Sequence, residues 1–218
     1  MKTLKAEETR SRILDEALRL FRDRGFAETT MRDVAAAAGV ATGAAYYYYR
    51  SKEDLVLAFY VRTDQEAAPL FAEAIAKSKK LEKRMRGLIE AKFAQFEEHR
   101  ALLTALLKAG VDPRDPLSPF GKETRAVREE NIAWYARAIE GSDVKLPKDI
   151  ADDIPRLLWL YHMGLIYFWI TDESRGQART RRLLDATLEL VVQTLKAASL
   201  PFMGPLRKKA VKVMRAFE

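Results

Sequence analysis

The stretch Thr29-Thr30-Met31-Arg32-Asp33-Val34-Ala35-Ala36-Ala37-Ala38-Gly39-Val40-Ala41-Thr42-Gly43-Ala44-Ala45-Tyr46-Tyr47-Tyr48-Tyr49-Arg50-Ser51-Lys52-Glu53-Asp54-Leu55 reads as two short helices about a glycine turn, followed at once by the start of a third. Thr30 and Asp33 stand at capping-box spacing, so the hydroxyl can accept from a free amide while the carboxylate reaches back. Gly39 supplies the left-handed conformation that ends the first helix. The second is predicted from Ala41 to Tyr48, and Ser51 with Asp54 repeats the box spacing to launch a long helix. This is the pattern of a helix-turn-helix unit.

Residues four apart share a helix face, which sets Ala45 with Tyr49, Thr42 with Tyr46 and Gly43 with Tyr47. Val40, Ala45 and Tyr49 form the natural inward set. Thr42, Gly43, Tyr46, Tyr47 and Tyr48 are then turned outward, and exposed tyrosines call for a partner. A tyrosine can offer its hydroxyl to a phosphate and its ring to a thymine methyl, while Gly43 lets the backbone approach a groove. No acidic residue occurs between Val34 and Lys52, whereas Arg32, Arg50 and Lys52 surround the segment. The competing reading, four tyrosines filling a small helical core, is the better one for Tyr49 and the worse one for Tyr47.

Ile13-Leu-Asp-Glu-Ala-Leu-Arg-Leu-Phe21, Gly25-Phe26, Thr29-Thr30, Asp33-Val-Ala35, Gly39-Val40, the Tyr46 to Tyr49 run and Ser51-Lys-Glu-Asp-Leu55, in that order, closely resemble the N-terminal domain of TetR-type transcriptional regulators. The resemblance covers roughly the first quarter of the chain. It implies an all-α fold, with a three-helix helix-turn-helix DNA-binding domain over residues 1–50 and a larger helical effector-binding and dimerisation domain over 51–218. It further implies phosphate contacts from Thr30, Tyr46, Tyr48 and Lys52, and base or groove contacts from Arg32, Thr42, Gly43, Ala44 and Tyr47. Ala41 and Ala45 depart from the family, which usually has a serine-like cap and a leucine at these places. The function so implied is a ligand-responsive, homodimeric repressor of a double-stranded DNA operator, acting in the cytoplasm.

Composition agrees with a globular helical chain. Its 218 residues are 48% hydrophobic, Gly and Pro cluster between long amphipathic stretches, and no alternating β-branched run or internal repeat occurs. The net charge of +7 fits an anionic partner, although much of the excess lies in the tail residues Arg207, Lys208, Lys209, Lys212 and Arg215. The absence of cysteine excludes disulfides, a thiolate nucleophile and cysteine-rich zinc sites. Two histidines argue against a metal sensor, and neither a metal nor another cofactor is expected. No signal-peptide-like region opens the chain, and the apolar run Leu157 to Ile170 is too short to span a bilayer.

Later helices are predicted from Ser51 to about Lys77 with a bend at Pro69, from Leu81 through Phe96, and from His99-Arg100 through Leu106. A proline-rich loop over 110–119 precedes helices over Lys122–Ile139, Lys148–Ile170 and Gly176–Ala198, and a basic one from Pro205 to Phe217. Leu184, Leu188, Val191 and Leu195 form an apolar stripe, and the resemblance implies a dimer interface there. Phe93, Phe96, Trp134, Tyr135, Trp159, His162 and Tyr167 are the candidate lining of a pocket for a mostly apolar effector. With no glycine-rich phosphate loop, nucleophile elbow or paired carboxylates, an enzyme is not expected. A helical lipid- or ligand-carrying protein without DNA binding is the alternative.

Overall fold

A computed structural model describes residues 2–107, 110 and 112–214. Among them the chain is built of helices and turns with no strand. It divides into two compact units, one of residues 1–66 with 95–128 and one of 67–94 with 129–218.

The first unit begins with α1 (Lys2–Arg24), α2 (Met31–Ala37) and α3 (Thr42–Tyr48), followed by α4 (Lys52–Ala76), which belongs to the second unit from Ala67 onward. Ile13, Ala17, Phe21, Val34, Ala45, Leu55 and Phe59 are closed from solvent within this unit, so the first helix buries the spaced apolar face that its sequence carries. α2 ends as the glycine predicts. Gly39 has φ 64°, its amide donates to the Ala36 carbonyl and that of Val40 to the Ala35 carbonyl, a Schellman closure. α5 (Leu81–Phe96), a single 3-10 turn at Glu97–His99 and α6 (Arg100–Ala105) follow, so the break expected at His99-Arg100 is a tightening rather than an interruption.

α4 runs unbroken through Pro69. In the second unit α5 approaches its other end so closely that a Cβ on Gly87 would lie 2.6 Å from the Ala74 Cβ. This glycine is a space requirement.

α7 (Arg125–Ile139), α8 (Ile154–Thr171), α9 (Ala178–Ala198) and α10 (Gly204–Met214) are the remaining α-helices among the described residues. Three starts differ from the sequence reading by two residues or more, the first being α7, which begins at Arg125 rather than Lys122. α8 begins at Ile154 rather than Lys148 because Pro155 occupies its first turn, where the missing N–H has no helical partner to lose. α9 begins at Ala178 rather than Gly176, because Gly176 and Gln177 are both left-handed, with φ 60° and 51°. The end expected for α10 at Phe217 lies outside the described residues.

Asp172 fixes that left-handed corner. Its carboxylate accepts from the Ser174 amide (3.0 Å) and hydroxyl (2.6 Å) and from the Thr180 amide (2.8 Å) and hydroxyl (2.7 Å). Burial pushes its pKa up, but the bonds from Ser174 and Thr180 outweigh that and hold the group well below the usual carboxylate range. A carboxylate whose folded pKa is depressed contributes stability above its unfolded pKa and loses it as pH falls. Asp172→Asn is therefore expected to lower the urea midpoint at neutral pH, and the gap to the unsubstituted chain should narrow as pH drops below about 4. A pH-independent gap would show that the charge is immaterial.

Candidate nucleic-acid interface and aromatic interior

α3 lacks a side-chain cap, since Ala41 sits at its N-cap in extended conformation, with φ −63° and ψ 145°. Its position is instead fixed by burial. Ala45 is wholly enclosed, and Tyr49 is enclosed directly after the helix, where its hydroxyl donates to the Arg10 carbonyl at 3.2 Å. The Arg10 guanidinium lies 5.5 Å over the same ring, so α1 holds Tyr49 by its hydroxyl and its face. The inward set of Ala45 and Tyr49 leaves the rest of the helix to solvent.

Tyr47 is 83% exposed and Tyr46 49% exposed, while Thr42 and Gly43 are open and Ala44 and Tyr48 half-buried. Tyr48 meets Tyr47 edge to face at 5.2 Å, which limits the directions the exposed ring can take. A Cβ on Gly43 would meet nothing within 4 Å, so the backbone there stands clear. Arg32 on α2 and Arg50 beyond α3 are exposed as well. Thr42, Gly43, Tyr46, Tyr47, Tyr48 and Arg50 thus present aromatic rings, hydroxyls and a guanidinium on a segment free of carboxylates between Val34 and Lys52, with Arg32 just before it.

Two candidates of this set have internal partners. The amide and the hydroxyl of Thr30 both donate to the Asp33 carboxylate, at 2.9 and 2.5 Å, and the Asp33 amide donates back to the hydroxyl at 3.2 Å. With both donors engaged, a phosphate contact from Thr30 requires the cap to open. The Lys52 ammonium donates to the carbonyls of Phe26 (2.7 Å) and Ala27 (3.1 Å) and lies 4.7 Å over the Phe26 ring. One of its three protons is left for a phosphate. Sequence spacing gave no sign of this clamp, because its partners are main-chain carbonyls 25 and 26 residues away. Ser51 and Asp54 do cap α4, with the Asp54 amide donating to the serine at 3.2 Å; its carboxylate accepts from Arg50 rather than from Ser51.

In the second unit, Tyr135, His162 and Phe93 come together. The Tyr135 hydroxyl is 2.7 Å from Nδ1 of His162, and the Phe93 ring is 6.4 Å from the imidazole. Trp169, which is not among the candidates expected from the sequence, stacks on Phe93 at 5.4 Å with the planes 7° apart. Its signal was available, for residue 169 is two helical turns beyond 162 on the same face. Trp134 packs instead on Phe71 (5.6 Å) and carries Arg137 over its ring (4.4 Å). Trp159 is buried and Tyr167 half-buried, whereas Phe96 falls in the first unit, 6.2 Å from Phe59.

The stripe expected to meet a twin needs correction. Leu184, Leu188 and Leu195 are closed inside the single chain, and Val191 alone keeps part of its surface. Helical spacing identified the apolar face correctly but could not say that the chain's own core covers it. The large apolar side chains that α8 and α9 leave exposed are Leu157, Leu160 and Leu190, the last at 65%. No described helix is long and apolar enough to cross a membrane, and no described group of three His, Cys, Asp or Glu residues could hold a metal ion.

A helical fold whose second short helix exposes an aromatic face after a glycine turn defines a helix-turn-helix protein. Known proteins make the class specific. Residues 13–59 match the family described as bacterial regulatory proteins, tetR family, and residues 84–209 match the tetracyclin repressor-like C-terminal domain. The chain belongs to the tetR family of bacterial regulatory proteins. It is 30% identical over 111 residues to the uncharacterized HTH-type transcriptional regulator YerO of Bacillus subtilis (strain 168), a match of 50% of this chain and 38% of that protein. Over 72 residues it is 40% identical to the HTH-type transcriptional regulator AcrR of Shigella flexneri, covering 33% of this chain and 34% of AcrR. These matches thus span little more than a third of each relative's length. A tetR-family transcriptional regulator from Streptomyces coelicolor shares the fold, with a TM-score of 0.67 at 22% identity over 94% of this chain and 89% of that one.

Proposed function

We propose that this chain is a DNA-binding transcriptional regulator, a homodimeric repressor released from a double-stranded operator by a small, mostly apolar effector and working in the cytoplasm. The observation that carries the reading is α3, which buries Ala45 and leaves Tyr46 and Tyr47 on an open face without carboxylates. In this reading Tyr46, Tyr48, Lys52 and, once its cap opens, Thr30 meet phosphates, while Arg32, Thr42, Gly43, Ala44 and Tyr47 face the groove. Two such helices in a dimer combine weak half-site contacts. The twin is met through the outer faces of α8 and α9, where Leu157, Leu160 and Leu190 are exposed. An effector held in the second unit changes operator affinity only if it prefers one arrangement of the readers, and α4 is the continuous helix that could carry the preference.

The test is retention of the DNA upstream of the chain's own gene by the full chain, followed over a salt series. Binding should be tight at low ionic strength and weaken steeply as salt rises, since each neutralised phosphate releases counterions. Lipophilic compounds should then release the DNA. Failure to retain any genomic fragment at low ionic strength would remove the reading.

A further inference from the structure

Buried polar atoms in folded chains nearly always have a hydrogen-bond partner, because an unpaired one keeps the full cost of its desolvation. Among the described residues Nε2 of His162 is the side-chain atom that breaks this rule, enclosed and without a partner. The residue as a whole is 4% exposed. Its other nitrogen is occupied by the Tyr135 hydroxyl at 2.7 Å.

The pair fixes where the proton sits. If the ring hydrogen is on Nε2, the Tyr135 hydroxyl donates to Nδ1, and only Nε2–H is left over. If it is on Nδ1, that N–H donates to Tyr135, and both the tyrosine hydrogen and the Nε2 lone pair are left over. The first arrangement leaves fewer buried groups unpaired. The ring holds a single hydrogen at neutral pH, because burial, aided by the charge of Lys92, lowers its pKa to about 3. The orphan is a donor.

We propose that Nε2–H of His162 is the polar anchor of the effector site, and that the effector is an apolar molecule carrying an uncharged acceptor oxygen such as a ketone, ester or quinone carbonyl. This rests on the sensing role proposed above. Aromatic walls suit the apolar body: Phe93 lies 6.4 Å from the imidazole, Tyr135 lies 6.0 Å from it, and Trp169 stacks behind Phe93. Phe93 is the member of this group that is not fully buried. A carboxylate would fit poorly, since it would lose its hydration against a neutral N–H. The cation acting on the imidazole, Lys92, has its ammonium 5.8 Å over the Phe71 ring and has contacts of its own.

The test uses three probes of matched shape, 2-acetylnaphthalene, 2-isopropenylnaphthalene and 2-naphthoate, titrated calorimetrically into the full chain without DNA. The ketone should bind roughly tenfold more tightly than the hydrocarbon, the expected effect of pairing a buried donor. His162→Phe should erase the difference. His162→Gln, which keeps a side-chain N–H, should retain part of it, and guards against mistaking a folding defect for a lost bond. Ring 15N shifts should show hydrogen on Nε2 in the free protein, with that preference weakened in Tyr135→Phe. Equal binding of ketone and hydrocarbon, preference for naphthoate, no binding of any probe, or hydrogen on Nδ1 would each overturn the proposal. Because no DNA is present, these failures would leave operator binding untouched. Loss of operator binding with the ketone preference intact would instead leave the site and remove the regulator.

Discussion

Replacing Tyr46 and Tyr47 together with alanine should weaken operator binding by roughly 100-fold or more while leaving the unfolding midpoint nearly unchanged. The size follows from exposure. Aromatic residues at the centre of an interface commonly contribute about 2 kcal/mol or more each, and the two rings stand 49% and 83% free of the chain's own core. The stability half follows from the same fact, reinforced by alanine being a better helix former than tyrosine. Tyr48 is edge-on to Tyr47, so single substitutions at 47 and 48 should not add, and the 46/47 pair gives the cleaner measurement. Fluorescence anisotropy on the operator at low ionic strength, beside circular dichroism melts of the same samples, reads both halves. Unchanged affinity in the double variant would mean that α3 does not enter the groove.

The reader segment could be followed in the sequence because its signals act over three or four residues. A capping box at Thr30/Asp33, a Schellman glycine at Gly39 and the i, i+4 pairing of Ala45 with Tyr49 each name their own partner. What stayed hidden required knowing the neighbour across the fold. Leu184, Leu188 and Leu195 show the same periodicity whether a twin or the chain's own helices cover them. Lys52 looks like a free cation until the Phe26 and Ala27 carbonyls are placed beneath it. For the aromatic candidates, residue type marks them as apolar and large, but only packing separates Trp134 on Phe71 from Tyr135 on His162. Pro155 is a different case. Its position in the first turn of α8 is a local signal that places the start at Ile154, six residues after the Lys148 expected from the sequence.

Phe59→Ala should have the opposite signature, a large loss of stability with little intrinsic loss of DNA affinity. Phe59 lies wholly buried in the first unit, 4.6 Å from the His99 ring edge to face and 6.2 Å from Phe96. Removing such a ring costs about 3–5 kcal/mol, the transfer of its atoms plus the cavity they leave. For a chain of this size that corresponds to a fall in Tm of roughly 10 °C. His99 supplies a second readout. Burial lowers its pKa below the ordinary histidine value, so the neutral ring is favoured in the folded state and stability declines as pH falls below about 6.5. Opening a cavity beside it lets water approach, so the pKa should move back up and the pH dependence of stability should flatten in the variant. Urea midpoints on both sides of that pH, with the His99 ring titrated by NMR, measure both effects. Operator binding measured well below the lowered Tm should remain within a few-fold of the unsubstituted chain, since none of the proposed DNA contacts has changed. A variant as stable as the original would mean that the Phe59 site collapses to fill the space, whereas lost binding in a fully folded sample would place the α4 core in direct control of the reader.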